Sequence, residues 1–390
     1  AQLAEDQAEL AGIDLHKINW ELLESAQPQT EAVFKAALPD QGLEIIKRYS
    51  IKPFEQPQPA QDGKQPAGQA IGYDLEFEIE VKNVGDREHS VAYRVDGPNG
   101  LPTEGSWYTY KIGRQWFSSA GLRDVAAGFL TSGDWVDKRF VSCQTIADGE
   151  DVPIWSGEPL EYLGVDAQYF AAVILPEKQQ PETVWLARSR AIRAGPVDED
   201  RPNLTNTSVR IASKPVDLKQ GESFRHRYRL FAGPKSPEVL AHYGLGDLIY
   251  YGWFWWVAPA MTEFLHFLYG LVGNYGLAII LLTVCVRLLL HPMSRKQTLD
   301  SQRMQAKMAK LKPELNKIKE RYKNDTQAQF RAQQELMRKH NVNTAAMFSG
   351  CLMAFVQIPI FVGLYRGLQI DIELRGSPLI SESIRWCSNL

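Results

Sequence analysis

The sequence predicts a two-part chain: a β-sandwich-type domain followed by an α-helical membrane domain carrying a helical hairpin. Three observations predict it. Residues 73–82, YDLEFEIEVK, alternate apolar and charged side chains, the pattern of a strand with one face on a core. Residues 275–293, YGLAIILLTVCVRLLLHPM, are apolar over about the ~20 residues a helix needs to cross a bilayer. Charge is split: residues 1–250 hold 26 Lys and Arg against 37 Asp and Glu, a net of −11, while residues 294–343 hold 13 against 5, a net of +8. Such asymmetry implies two compartments or two kinds of partner.

Residues 1–40 read as a polar segment with weak helical stretches at 2–10 and 20–25. The β domain is expected over 41–245, with strands at 42–51, 73–82, 89–95, 168–175, 183–192, 209–212 and 224–231. Turn signals such as Gly97-Pro98-Asn99-Gly100 and Ala194-Gly195-Pro196 separate them. Residues 53–71, rich in Pro, Gln and Gly, form a loop. No carboxylate pair or histidine cluster stands at an interpretable catalytic spacing, so a structural or docking role is expected here. The alternative is a membrane-anchored domain that binds carbohydrate or peptide in its cleft. Cys143, Cys285, Cys351 and Cys387 show no metal or CxxC spacing; four free thiols, no metal and no cofactor are expected. There is no Walker motif.

Residues 247–271 are crowded with aromatics, including Trp253, Trp255 and Trp256. Such rings favour the membrane interface, and Pro259, Glu263 and His266 oppose a span, so an interfacial amphipathic helix is expected. Residues 273–293 form the first span. The basic stretch 294–343 then lies in the cytoplasm by the positive-inside rule. Within it Met308, Leu311, Leu315, Ile318 and Tyr322 repeat at heptad spacing. Lys312-Pro313 predicts a boundary or kink, Asn324-Asp325 a turn, and 326–340 a second helix with Phe330 and Met337 on one face. The stretch therefore reads as a hairpin of two antiparallel helices. Its cations Lys307, Lys310, Lys312, Lys317, Lys319, Arg321 and Lys323 suit RNA phosphates or anionic lipid, or simply a solvated face. Residues 344–370 form the second span, with Ser349, Gln357, Pro359, Phe361 and Arg366, and 371–390 open the following loop. Pro359 and Phe361 read as kink and packing residues.

Arg287 is the residue that points to function. A charge inside a span costs roughly 2.5–3.5 kcal/mol on insertion scales, so it normally faces a partner or a watery cavity. Arg287 lies six residues from Met293, or ~9 Å at the helix rise. Thr283, four residues earlier, shares its face. Ser349 lies at a similar depth on the other span, and Gln357 deeper. These four residues line one polar stripe if the faces meet. At such a depth an arginine also snorkels readily to phosphates, so the residues alone leave both readings open.

The order of elements resembles the YidC family of membrane protein insertases, in its Gram-negative form with a large periplasmic domain. The resemblance rests on Gly273-Asn274-Tyr275-Gly276-Leu277-Ala278 leading into Val286-Arg287 and His291-Pro292-Met293. It rests also on Val356-Gln357-Ile358-Pro359-Ile360-Phe361, on Tyr228-Arg229-Leu230-Phe231-Ala232-Gly233-Pro234-Lys235, and on Glu373-Leu374-Arg375. It implies a supersandwich fold for the outer domain and a hydrophilic groove, lined by Arg287, open to cytoplasm and lipid. It implies nascent membrane proteins as substrates, with the ribosome, a Sec translocon and anionic lipids as partners. It places the chain in the bacterial inner membrane as a multi-pass protein, residues 1–250 periplasmic and 294–343 cytoplasmic. It implies insertion and chaperoning without covalent chemistry. The family has one span before the periplasmic domain and three more after residue 390, so the chain is expected to be a piece of a longer one. The Asn-Pro usual at entry to the second span is Asn343-Thr344 here.

Overall fold

The computed structural model describes residues 15, 17–51, 72–103, 111, 121–131, 136–149, 152–177, 185–322, 325–339 and 349–377, without the side chains of 300, 349–354 and 356. The chain divides into two compact units, 1–250 and 251–390.

The first unit is antiparallel β. Its strands are β1 (Glu21–Leu23), β2 (Glu31–Leu38), β3 (Leu43–Ser50), β4 (Asp74–Asn83), β5 (His89–Val91), β6 (Arg94–Asp96), β7 (Asp124–Leu130) and β8 (Val136–Val141). They continue with β9 (Ile154–Ser156), β10 (Leu160–Asp166), β11 (Phe170–Pro176), β12 (Leu186–Arg193), β13 (Thr207–Ser213), β14 (Val216–Leu218) and β15 (Ser223–Pro234). Among the described residues a nine-stranded sheet runs β1-β2-β3-β4-β15-β11-β10-β7-β8, and a four-stranded sheet runs β6-β13-β12-β9. β14 and β5 pair separately.

The alternation in β4 sets its role. Phe77, Ile79 and Val81 turn inward and are buried. On the other face Glu78 stands opposite Arg227 and Glu80 opposite Arg225, with ion pairs of 2.6 and 3.0 Å. The inward residues join Val125, Leu163 and Ile174 of the large sheet and Trp155, Val209 and Ile211 of the small one in a single apolar cluster. Full burial of each large side chain contributes ~1.5–3 kcal/mol. The opposite face of the large sheet holds a second cluster, in which Phe231 packs with Val239, Leu240 and Tyr243 around the short helix α2 (Pro237–His242). Another short helix, α1 (Cys143–Asp148), precedes it in the chain.

The structure corrects several expectations. Residues 20–25 are not helical: Glu21–Leu23 form β1, paired with Val33–Lys35 of β2. The sheet therefore begins upstream of residue 41. In EAVFKAAL, helix-compatible by composition, ladder pairing with β3 and burial of Val33, Ala36 and Leu38 outweigh local preference. β7, β8 and β10 carry no sequence signal: β7, DVAAGFL, is rich in small residues because it is buried inside the sheet. The 89–95 run splits into β5 and β6, which belong to different sheets. The helical stretch at 2–10 and the loop at 53–71 lie outside the described residues.

The second unit is helical: α3 (Val257–Val272), α4 (Tyr275–Arg321), α5 (Thr326–Lys339) and α6 (Ser349–Ile370). Gly273 adopts φ 66° and closes α3, its N–H donating to the Tyr269 carbonyl. Asn274 then caps α4 by accepting from Leu277 N–H at 2.9 Å. α4 does not stop at Met293 or at Lys312-Pro313. It runs unbroken for 47 residues, ~70 Å, through Pro292 and Pro313. Each proline removes one backbone donor. The heptad residues on both sides of Pro313 stay covered, with Leu311 buried and Leu315 and Ile318 half-buried, so the helix continues.

α3, α4 and α6 enclose their own core, in which Leu265, Ala278 and Leu282 are fully buried and Ile360 and Leu364 pack against them. α6 reaches α3 through Gly363 and Gly367. A Cβ on Gly363 would stand 2.6 Å from Val257 Cγ1, and one on Gly367 would stand 3.2 Å from the Ala258 carbonyl oxygen. Small residues four apart let two backbones approach closely, the usual device where helices pack in lipid.

Candidate functional site: a cationic position on an apolar helix

Ala278, Leu282 and Val286 form the buried stripe of α4. Thr283 and Arg287 fall about 100° further round, at its border. Thr283 is half-buried, and its hydroxyl donates to the Ile279 carbonyl at 2.8 Å, so its hydrogen bond is met within the helix. Arg287 is exposed. Around it the helix is apolar: Ile280, Val284, Leu288 and Leu289 are exposed by 57%, 46%, 66% and 77%. By length and composition α4 is, among the described residues, the one helix able to cross a membrane.

On α6, Gln357 and Pro359 are half-buried while Phe355, Phe361 and Tyr365 are exposed. Ser349 begins this helix; its side chain lies outside the description. Among the described residues neither Arg287 nor Gln357 has a hydrogen-bonded or ion-paired partner within the chain. The polar positions thus share the helical unit without bonding to one another.

At one end of the unit a polar cluster ties three segments. His266 Nε2 of α3 lies 2.7 Å from Asp371 Oδ2 in the turn after α6. The Tyr275 hydroxyl at the start of α4 donates to Glu373 Oε2 at 2.5 Å, and Tyr269 and Tyr275 stack at 3.9 Å. Neither this cluster nor the glycine pair was anticipated. The Gly-x-x-x-Gly spacing at 363–367 is the signal that would have found the second.

Trp253, Trp255 and Trp256, before α3, are exposed by 71%, 68% and 62%. On the C-terminal half of α4 and on α5 the covered positions are apolar or neutral. Lys307, Lys310, Lys312, Lys317, Lys319 and Arg321 are all exposed; Lys323 and Asn324 lie outside the description. Phe330 and Met337, seven residues apart on the unbroken α5, share a face as expected, but Phe330 is 61% exposed and Met337 half-buried; the covered positions include Ala328, Ala332 and Leu336 beside Met337. Cys143 and Cys285 are free thiols; Cys387 and the Cys351 side chain are not described. No group of residues able to hold a metal occurs among the described residues.

A large extramembrane β domain joined to helices with an apolar outer surface defines a membrane-anchored protein. Comparison with known proteins narrows the class. Residues 69–264 match the family model described as YidC periplasmic domain, and residues 267–389 match that described as 60Kd inner membrane protein. The chain belongs to the YidC family. A membrane protein insertase YidC from Geobacter sulfurreducens is 31% identical over 312 residues, covering 79% of this chain and 51% of that protein. One from Oleidesulfovibrio alaskensis is 34% identical over 267 residues, covering 67% and 46%. One from Citrifermentans bemidjiense is 40% identical over 230 residues, covering 58% and 39%. This chain spans about half the length, or less, of these curated relatives. The outer domain of this family is periplasmic and its helical part belongs to the inner membrane.

Proposed function

We propose that this chain supplies the substrate-receiving part of a membrane protein insertase and chaperone, with Arg287, Thr283, Ser349 and Gln357 along a hydrophilic groove. The observation that carries the reading is Arg287: a guanidinium exposed on an apolar helix, with no carboxylate partner among the described residues. In this reading residues 1–250 are periplasmic, 247–271 lie in the interface, 273–293 and 344–370 cross the membrane, and 294–343 are cytoplasmic.

Arg287 attracts acidic residues in the outer tail of a substrate. At 4 Å and an effective dielectric of about 20, such a pair is worth roughly 4 kcal/mol, enough to offset part of the cost of taking a carboxylate out of water. Exposed Ile358, Phe361 and Val362 offer the substrate helix an apolar surface on which to fold. The helix then leaves by partition into lipid, and no bond is made or broken, so the protein is not an enzyme. The His266–Asp371 and Tyr275–Glu373 contacts tie segments together at what becomes the outer end, which supports a groove closed on that side. The exposed cations of 294–343 suit ribosomal RNA and anionic lipid, and a Sec translocon is a further partner.

The test uses the complete protein, at the length of its relatives, with a photocrosslinker replacing Thr283. Ribosomes carrying a single-span nascent chain with an acidic outer tail are the target. A substrate crosslink that weakens in Arg287→Ala is expected. Crosslinks to lipid alone would sink the groove; a strong substrate crosslink indifferent to Arg287→Ala would keep the groove and remove the arginine from it.

A further inference from the structure

One side of α4 carries a narrow polar stripe. Thr283, Arg287, His291, Ser294 and Thr298 follow one another three or four residues apart and fall within ~80° of arc. The hydroxyls of the stripe spend their protons on the helix itself. Thr283 donates to the Ile279 carbonyl at 2.8 Å, Ser294 to that of Leu290 at 2.9 Å and Thr298 to that of Ser294 at 2.9 Å. That leaves the guanidinium of Arg287 and the imidazole of His291. Both side chains are exposed, and neither has a hydrogen-bonded or ion-paired partner among the described residues. The surface beside His291 is apolar, with Leu288, Leu289 and Met293 exposed by 66%, 77% and 42%. Pro292, next in the chain, brings no N–H to the Leu288 carbonyl, so water or an outside donor must meet that acceptor close to the imidazole.

We infer that His291 is a second contact for substrate carboxylates, one turn to the cytoplasmic side of Arg287, and that it suits the groove to outer tails with two acidic residues; the inference rests on the insertase reading above. Charge is what decides it. Arg287 compensates one carboxylate. A second one, drawn into the same apolar surroundings, keeps its full cost of leaving water unless another donor meets it. His291 stands ~6 Å nearer the cytoplasm than Arg287, on the side from which the tail enters. An imidazole donates a hydrogen bond to a carboxylate when neutral and adds a charge when protonated, so it serves in either form. Arg295, the next cation along, lies beyond Met293 in the stretch read as cytoplasmic, where water already solvates a carboxylate. A lipid phosphate is the competing occupant. It would make His291 an anchor of the helix, needed equally whatever the tail carries.

The test uses the complete protein in proteoliposomes and two single-span substrates that differ only in having one or two Asp residues in the outer tail. Insertion rates and melting temperatures are compared for the parent, His291→Phe, His291→Arg and Arg287→Ala. His291→Phe should slow the two-Asp substrate about tenfold more than the one-Asp substrate, with the melt unchanged. His291→Arg should restore the parent ratio, and Arg287→Ala should slow both substrates. If His291→Phe slows both substrates equally, the imidazole belongs to lipid anchoring or to structure; if it slows neither, it meets no carboxylate. Either result overturns the inference and leaves the groove reading in place. If Arg287→Ala slows neither substrate, the groove reading fails and this inference fails with it.

Discussion

The two units treat charge in opposite ways. In the β unit the side chains of Lys111, Asp124, Asp166 and Lys235 are at most 10% exposed, and each is compensated. Lys111 Nζ lies 3.0 Å from Asp124 and 2.9 Å from Asp166, whose other oxygen is 2.7 Å from Lys235 Nζ. Asp124 also accepts from the Cys143 N–H at 2.9 Å. Burial works against the charged Asp166 carboxyl, yet Lys111 and Lys235 outweigh it and hold its pKa below the ordinary value. In the helical unit Arg287 sits on an apolar helix with no such partner among the described residues. A charge that serves the fold is neutralised within the fold. A charge left open on a hydrophobic surface is available to something outside the chain.

The sharpest way to break this contrast is to remove the centre of the buried cluster. Asp166→Asn leaves two buried ammonium groups with too little negative charge and should cost about 3–5 kcal/mol, read from urea unfolding. A cost under about 1 kcal/mol would mean that water reaches the cluster. The depressed Asp166 pKa contributes stability that is present above the usual Asp value, ~3.9, and is lost as pH falls below it.

Acid should also act through His226. Burial pushes its imidazole down to about 4, and its Nδ1 lies 2.8 Å from the Tyr93 hydroxyl, which in turn lies 2.8 Å from that of Tyr228. The unfolded chain takes up this proton near pH 6.5, the folded one only near 4, so stability is full above ~6.5 and falls as pH drops through that window. The decline should reach up to about 1.4 kcal/mol per pH unit, and His226→Phe should flatten it.

A smaller effect separates helix packing from charge. Gly363→Val forces a side chain into Val257 and should cost about 1–3 kcal/mol in the helical unit, seen as a lower melting temperature in micelles. Gly363→Ala should cost less. If neither shifts the melt, the close approach of α3 and α6 does not matter to stability.

The sequence carried some of these features and not others. β4 was legible because one face is buried and the other salt-bridged, which imprints period two on the residues. α4 was legible up to Met293 because lipid-length apolarity is written in composition; its continuation was not, because Pro313 reads as a break unless the covered stripe on both sides is weighed. β1 and β2 were missed because their ladder partners, not their own propensities, make them strands. At the candidate site, Arg287 and Thr283 announced themselves by contrast with their neighbours. Gly363, Gly367 and His266 act through residues distant in the chain or on another helix, and no local pattern of polarity marks them.

The smallest expected change in stability is also the most telling for function. Arg287→Ala in the complete protein should shift unfolding by no more than about 0.5 kcal/mol, as for an exposed side chain without partners. Insertion of a single-span substrate with an acidic outer tail into proteoliposomes, measured beside the melt, is the direct test. A drop in insertion of about tenfold or more with an unchanged melt, restored by Arg287→Lys, is the predicted result. Unchanged insertion, or a loss that simply follows a collapsed melt, would contradict a charge held open for substrate.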